Sequence, residues 1–348
     1  MKNKKRGQKI VRTREWRDKY DDAFTHDRAK HRKALGASPI PFAPPVRAED
    51  VTPNGLVVSH KGQYAFVLLD GREHLCLIDP TLGGPESSVL AAGDDVLVEF
   101  VEGSSYPIVR VVAVRRSKLS RLAHGHSRLS EQIVAANIDL LVVVASALRP
   151  RFKPGLVDRY LITAEIGGVK PLLVVNKMDL VDAEPHQVSE YRELAVDVFD
   201  TSCVTGAGIE ALRGALRGRL SVFAGHSGVG KSSLLNVLDP ALGISTQEVS
   251  NANEKGRHTT SETRLYFLQG DIRVVDTPGA RNLGIWGVSP EEVAYYFPEM
   301  AELAGGCRFR NCTHTHEPAC AVRDAVETGT MPKRRYESYL RIRASLED

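Results

Sequence analysis

No apolar run in this 348-residue chain approaches the ~20 residues that a membrane-spanning helix requires, and the basic N-terminus lacks the apolar stretch of a secretory signal. A membrane-embedded or exported protein is therefore not expected, and a cytoplasmic one is. Cysteine is scarce: five residues, an odd number, of which three fall between positions 307 and 320. A secreted disulfide framework does not have this composition; the cluster points to metal or thiol chemistry in a reducing compartment. Large net charge is also lacking, at +3, but the balance is uneven. Residues 1–33 hold 13 Lys and Arg against 5 Asp and Glu, about +8, which leaves the remainder about −5. The length exceeds the roughly 250–300 residues at which a single core stops growing, so two or three domains are expected.

Residues 1–45, basic at first and then rich in Pro and Ala, read as a flexible arm and linker. Such an arm neutralises phosphates in a salt-dependent way and carries no sequence information of its own, so RNA contact is expected of it ahead of a solvated tail or a helix lying on the chain's own acidic surface. From 54 to 115 the pattern is that of short strands, at 55–59, 64–69, 74–78, 96–101 and 108–114, punctuated by Lys61-Gly62, Asp70-Gly71 and Gly93-Asp94. Five short strands in so short a span suit a small barrel, with an OB-fold as first choice, over 46–116. Cys76, inside an apolar strand, reads as a packed core thiol.

Between 138 and 276 strands and helices alternate. Apolar runs at 140–145, 172–175, 196–199, 221–224, 265–268 and 272–275 look like buried strands of a doubly wound α/β sheet, with helices near 157–166, 188–194 and 209–216. Ligands of such sheets sit at the carboxyl ends of the strands, where the motifs of this chain fall. Gly225-His226-Ser227-Gly228-Val229-Gly230-Lys231-Ser232-Ser233 lies between a strand and a helical pattern, as a phosphate-binding loop does. Lys231 would reach the β- and γ-phosphates, and Ser232 would ligate Mg²⁺. In Asn176-Lys177-Met178-Asp179 the carboxylate of Asp179 would accept two hydrogen bonds from guanine N1 and N2, a donor pair that adenine lacks. Asn176 would tie neighbouring loops together and the Lys177 stem would cover the base. Backbone NH groups at Ser202 and Cys203 would meet guanine O6. Gly256-Arg257-His258-Thr259-Thr260 offers hydroxyls for the Mg²⁺ shell, from Thr259 or Thr260. In Asp276-Thr277-Pro278-Gly279 the acid would hold Mg²⁺ through water and the Gly279 NH would sense the γ-phosphate. An ordinary GTPase runs from phosphate loop to base-recognition motifs; here the base-recognition motifs come first, so the P-loop GTPase domain, at 117–296, is circularly permuted.

Cys307, Cys312 and Cys320, with His314 or His316, give three thiolates and an imidazole within a short segment. Such a set satisfies a closed tetrahedral zinc site with a structural role. The surrounding residues, 297–348, are expected to form a small α-rich module. Its last helix carries Lys333, Arg334, Arg335, Arg341 and Arg343 with Tyr336 and Tyr339, a face suited to rRNA or to solvent. The strand ending at Asp276 leads almost directly into this module, so movement there on hydrolysis is expected to shift it.

The basic arm, OB-like barrel, permuted motif order and Cys/His cluster, with Ala135-Ala136-Asn137-Ile138-Asp139 and the segments 225–233 and 256–260, resemble the RsgA (YjeQ) family over nearly the whole chain. The family comprises GTPases dependent on the small ribosomal subunit. The resemblance implies GTP hydrolysis stimulated by that subunit, a role in its late maturation, contact with its rRNA, bound Mg²⁺ and one structural Zn²⁺. It favours His314 over His316 as the fourth zinc ligand. Ala280 follows Gly279 where Ras-like enzymes have the water-orienting Gln, and the resemblance points to His258 in that role, acting with Lys231, Thr259 and Thr260. Three departures stand out: Ser261 where the family often has a third Thr, Cys203 in place of Ala or Ser, and an unmatched stretch at 281–287. A monomer without membrane or DNA partners is expected. The competing reading is an RNA-binding assembly factor gated by nucleotide with little turnover.

Overall fold

Alternation of inward and outward residues folds the first strands into a closed barrel. In the computed structural model, which describes residues 51–82, 90–123, 130–244, 263–276, 283 and 285–347, these are β1 (Gly55–Lys61), β2 (Tyr64–Leu69), β3 (Arg72–Ile78), β4 (Asp95–Glu99) and β5 (Ile108–Val112). Residues 1–45, read as the arm and linker, lie outside the described set. The strand order is β1-β2-β3-β5-β4, closed by antiparallel pairing of β1 with β4, and β3 runs parallel to β5. Closure removes the exposed edges that a five-stranded sheet would otherwise present. Val57, Ala65, Val67, Cys76, Val96 and Val109 fill the interior. Burial pushes the Cys76 thiol up to about 12, so it packs as an inert apolar group.

An antiparallel ribbon, β6 (Lys118–Ala123) and β7 (Ser130–Ala136), joins the barrel to the main sheet. The main sheet has the order β10-β9-β8-β11-β13-β12, from β8 (Leu140–Ser146), β9 (Lys170–Asn176), β10 (Asp197–Asp200), β11 (Leu220–Ala224), β12 (Arg264–Leu268) and β13 (Ile272–Asp276). All neighbours run parallel except β12 against β13, because the short turn at 269–271 leaves no room for a crossover. Leu141, Val143, Leu173 and Val175 pack on one face with α1 (Pro154–Ile166) and α2 (Gln187–Glu193). Leu140, Val142, Val144, Leu172 and Val174 pack on the other with α3 (Ile209–Leu216) and α4 (Lys231–Leu238). Burial on both faces is why these strands read as unbroken apolar runs.

The C-terminal helices α5 (Pro298–Ala304), α6 (Ala321–Glu327) and α7 (Lys333–Ala344) enclose Phe297, Met300, Val322, Tyr339 and Ile342, and share that core with Ile162 of α1. A charged cluster reinforces the seam. Asp158 of α1, 1% exposed, accepts from Arg335 Nη1 (2.5 Å), Arg334 Nη1 (2.9 Å) and the Tyr191 hydroxyl (2.9 Å). Arg334 also reaches Glu190, and Arg335 reaches Glu299. This narrows the expectation of a basic α7 face for RNA or solvent, which keeps Lys333 and Arg341 exposed but loses Arg334 and Arg335. Arg335 is 3% exposed and Arg334 is paired with Asp158 and Glu190, so these two side chains fasten the module to α1 and α2, while buried Tyr339 bonds the Thr313 carbonyl within the module. Any displacement of the module must carry α1 with it or break a buried ion cluster.

Candidate functional site

Parallel strands bring their carboxyl ends to one edge, which gathers residues far apart in sequence. After β11 the chain turns through Gly225, Gly228 and Gly230 at φ 149°, 78° and 100° and enters α4 at Lys231. A Cβ on Gly225 would collide with the Val144 carbonyl oxygen, and one on Gly230 with the Asn176 amide, so neither position tolerates a side chain. Val229 is buried beneath the turn. The Lys231 ammonium donates to the carbonyls of Gly225 (2.7 Å) and His226 (2.9 Å), so its charge lies against the loop. Ser232 and Ser233 are half-buried in the first turn of α4.

Asn176, 1% exposed at the end of β9, is the hub of this edge. Its Nδ2 donates to the Val229 carbonyl at 3.0 Å, while its Oδ1 accepts from the Thr201 hydroxyl (3.3 Å) and the Cys203 thiol (3.6 Å). Lys177, at φ 65°, sends its ammonium to the carbonyls of Gly228 (2.6 Å) and Arg149 (2.5 Å). Asp179 Oδ1 accepts from the Ser202 hydroxyl at 2.6 Å, and the Ser202 oxygen in turn accepts from the NH groups of Val204 and Thr205. Asn176, Lys177, Asp179, Ser202, Cys203 and 225–231 therefore form one connected assembly. Burial pushes the Cys203 thiol up, keeping it protonated as a donor. Asp276 ends β13 with its side chain exposed, in register with Arg264 of β12. His258, Thr259, Thr260 and Gly279 lie outside the described residues.

Sequence reasoning missed one further contact. Lys153, just before α1, places its Nζ 3.0 Å from His226 Nε2, and His226 Nδ1 lies 2.8 Å from the Ser227 carbonyl. An ammonium only donates, so Nε2 accepts and the ring proton sits on Nδ1. No sequence signal marks Lys153, because its partner is 73 residues away.

The second assembly is Cys307, Cys312, His314 and Cys320, whose ligand atoms all lie within 4.8 Å of one another. Cys307 Sγ is 3.5 Å from His314 Nδ1 and 3.9 Å from Cys320 Sγ, and His314 Nδ1 is 3.4 Å from Cys320 Sγ. Zinc bonds of ~2.3 Å to sulfur and ~2.0 Å to nitrogen imply tetrahedron edges of roughly 3.8 Å and 3.5 Å, so the set is compatible with a zinc site. Burial pushes the Cys312 thiol up to about 12 and the Cys320 thiol in the same direction, while it lowers the basicity of His314. A cation is what would favour thiolates there. His316 is exposed and bonds Thr315 instead. Three residues not assigned to the site hold the ligand loop: Glu317 accepts from the NH groups of Thr313, Thr315 and His316, Tyr336 donates to the His314 carbonyl (2.7 Å), and Tyr339 to the Thr313 carbonyl (2.5 Å).

Residues 112–286 match the family model described as RsgA GTPase. A small ribosomal subunit biogenesis GTPase RsgA from Yersinia pseudotuberculosis (serotype O:1b, strain IP 31758) is 41% identical over 308 residues, covering 84% of this chain and 85% of the relative. The protein of the same name from Serratia proteamaculans (strain 568) is 39% identical over 301 residues, with 84% of each covered. Among solved structures, that of YjeQ from Thermotoga maritima matches with a TM-score of 0.64 at 32% identity, over 84% of this chain and 98% of that one. The structure of YloQ, a circularly permuted GTPase, matches with a TM-score of 0.61 at 26% identity, over 86% and 96%. Among the described residues no helix is long and apolar enough to cross a membrane.

Proposed function

Because the chain belongs to the RsgA GTPase family, we propose that it is a Mg²⁺-dependent GTP hydrolase that binds the small ribosomal subunit and acts in its late maturation, its turnover stimulated by that subunit. The observation that carries the reading is the Asn176 hub, which ties the phosphate loop at Val229 to the base-selecting segments at Asp179 and Thr201. Two halves of a nucleotide site, reversed in chain order, are thereby held as one.

Asp179, oriented by Ser202, selects guanine; the Ser202 NH is held by the Ala207 carbonyl, which leaves the backbone NH of Cys203 to meet O6. Residues 225–233 hold the phosphates with NH groups, and Lys231 neutralises the β- and γ-oxygens. Ser232, Asp276 and Thr259 or Thr260 supply the hard hydroxyl and carboxylate oxygens that Mg²⁺ prefers. When bound, Mg²⁺ supplies positive charge to the transferring phosphoryl group. His258 positions the attacking water, and intrinsic turnover is slow because Ala280 replaces the Ras-type Gln. Cys307, Cys312, His314 and Cys320 hold one structural Zn²⁺. The basic arm (1–45) contacts rRNA, and the barrel (46–116), GTPase domain (117–296) and zinc module (297–348) follow it in the sequence of a cytoplasmic monomer without membrane or DNA partners.

The test is GTP turnover by the purified protein alone, with small subunits and with large subunits, in wild type, Ser232→Ala and His258→Ala. Stimulation by small subunits only, abolished by either substitution, is expected. Absence of stimulation would replace this reading with a nucleotide-gated RNA-binding assembly factor, and loss with Ser232→Ala alone would remove His258 from catalysis.

A further inference from the structure

Strand β12 is the edge of the main sheet, and its first residue, Arg264, stands in register with Asp276, the last of β13. Directly opposed residues of an antiparallel pair leave from the same face with Cβ atoms ~4.5–5.5 Å apart. The guanidinium of Arg264 therefore has a carboxylate beside it, within easy reach. Its contacts go elsewhere. Arg264 Nη2 donates to both oxygens of Glu73 on β3 (2.9 and 2.8 Å), Nη1 lies 3.5 Å from the Ser59 hydroxyl of β1, and the guanidinium carbon lies 5.8 Å from the centroid of Phe66 on β2. Three barrel strands thus draw this arginine away from its cross-strand neighbour. The ion pair is mostly shielded, with Arg264 24% and Glu73 20% exposed.

We propose that Glu73 is a positioning residue for the magnesium site: by holding Arg264 on the barrel it keeps that guanidinium from pairing with Asp276. The inference rests on the reading of Asp276 as a group that holds Mg²⁺. A guanidinium paired with Asp276 would cover its oxygens with NH donors and cancel its charge, so arginine and cation compete for the same atoms. Glu73 decides the competition by offering Arg264 a carboxylate of its own, already framed by Ser59 and Phe66. Since Glu73 belongs to the barrel, whatever shifts β3 relative to β12 alters the hold of the nucleotide site on Mg²⁺.

The experiment uses the full-length protein and a fluorescent non-hydrolysable GTP analogue, with binding titrated against Mg²⁺. Glu73→Gln is expected to raise the Mg²⁺ concentration at half-maximal binding by about twofold to fivefold, the scale of a partly screened ion pair. Glu73→Gln combined with Arg264→Gln is expected to return it to the wild-type value, a rescue that loss of barrel packing would not produce. Should Glu73→Gln not fold, Glu73→Asp, whose carboxylate falls one methylene short, is expected to shift the requirement in the same direction, and Arg264→Gln alone not to raise it. A wild-type Mg²⁺ requirement in the folded Glu73 variant, or a double variant as impaired as the single one, overturns the proposal. Wild-type binding indifferent to Mg²⁺ would instead remove the magnesium reading beneath it, and the proposal with it.

Discussion

Replacing Asp158 with Ala should loosen the C-terminal module from the nucleotide domain. Asp158 is 1% exposed and accepts hydrogen bonds from Arg334, Arg335 and Tyr191, while Arg335, 3% exposed, would keep Glu299 and the face of the Phe297 ring but lose this carboxylate. Removing one partner of a buried ion pair costs about 3–5 kcal/mol, because the remaining charge is left desolvated without full compensation. At ~1.4 kcal/mol per tenfold, that is an increase of between about a hundred- and a few thousand-fold in local opening. Global unfolding of a multidomain chain is a poor gauge, so the assay is hydrogen exchange of the α7 amides, Lys333–Ala344, in wild type and Asp158→Ala. Asp158→Ala with Arg335→Met should recover much of the protection, since both charges are then gone. Exchange in α7 changed by less than about fivefold, the range of exposed pairs, would show that the Asp158 cluster does not hold the module and would return Arg334 and Arg335 to a face open to rRNA or solvent.

Three further outcomes are expected. Gly230→Ala, which forces a Cβ against the Asn176 amide at φ 100°, should weaken guanine nucleotide binding at least about tenfold, measured by fluorescence titration. Elemental analysis should find one zinc per chain in wild type and in His316→Ala, but not in His314→Ala, since His314 alone of the two lies among the thiols. In the barrel, burial opposes ionisation of Asp79, yet the Thr81 NH and hydroxyl and the Arg110 guanidinium outweigh it and hold the carboxyl below its ordinary value. A depressed carboxylate contributes stability above its unfolded pKa that is lost as pH falls through the folded one. Asp79→Asn should therefore flatten the fall in barrel stability below about pH 4, followed by circular dichroism.

The sequence alone determined the parts whose signals are local. Unbroken apolar runs marked the strands buried on both faces, and glycines at 225, 228 and 230 before Lys231 marked a turn that only glycine can make. Cysteine spacing marked the C-terminal cluster, and five short alternating runs marked the barrel. In each case the covalent spacing itself sets the geometry. Tertiary structure alone decided the β6–β7 ribbon and the fate of the charges, and it placed His314, already favoured by the resemblance, among the thiols. Arg334 lies 176 residues from Asp158, and Arg264 lies 191 residues from Glu73. A chain pattern records period and spacing, but whether a guanidinium faces water, RNA or a buried carboxylate depends on which distant segment folds against it. For α7 that segment was α1, and two of the arginines that read as a face for rRNA or solvent, Arg334 and Arg335, became the fastening of one module to another.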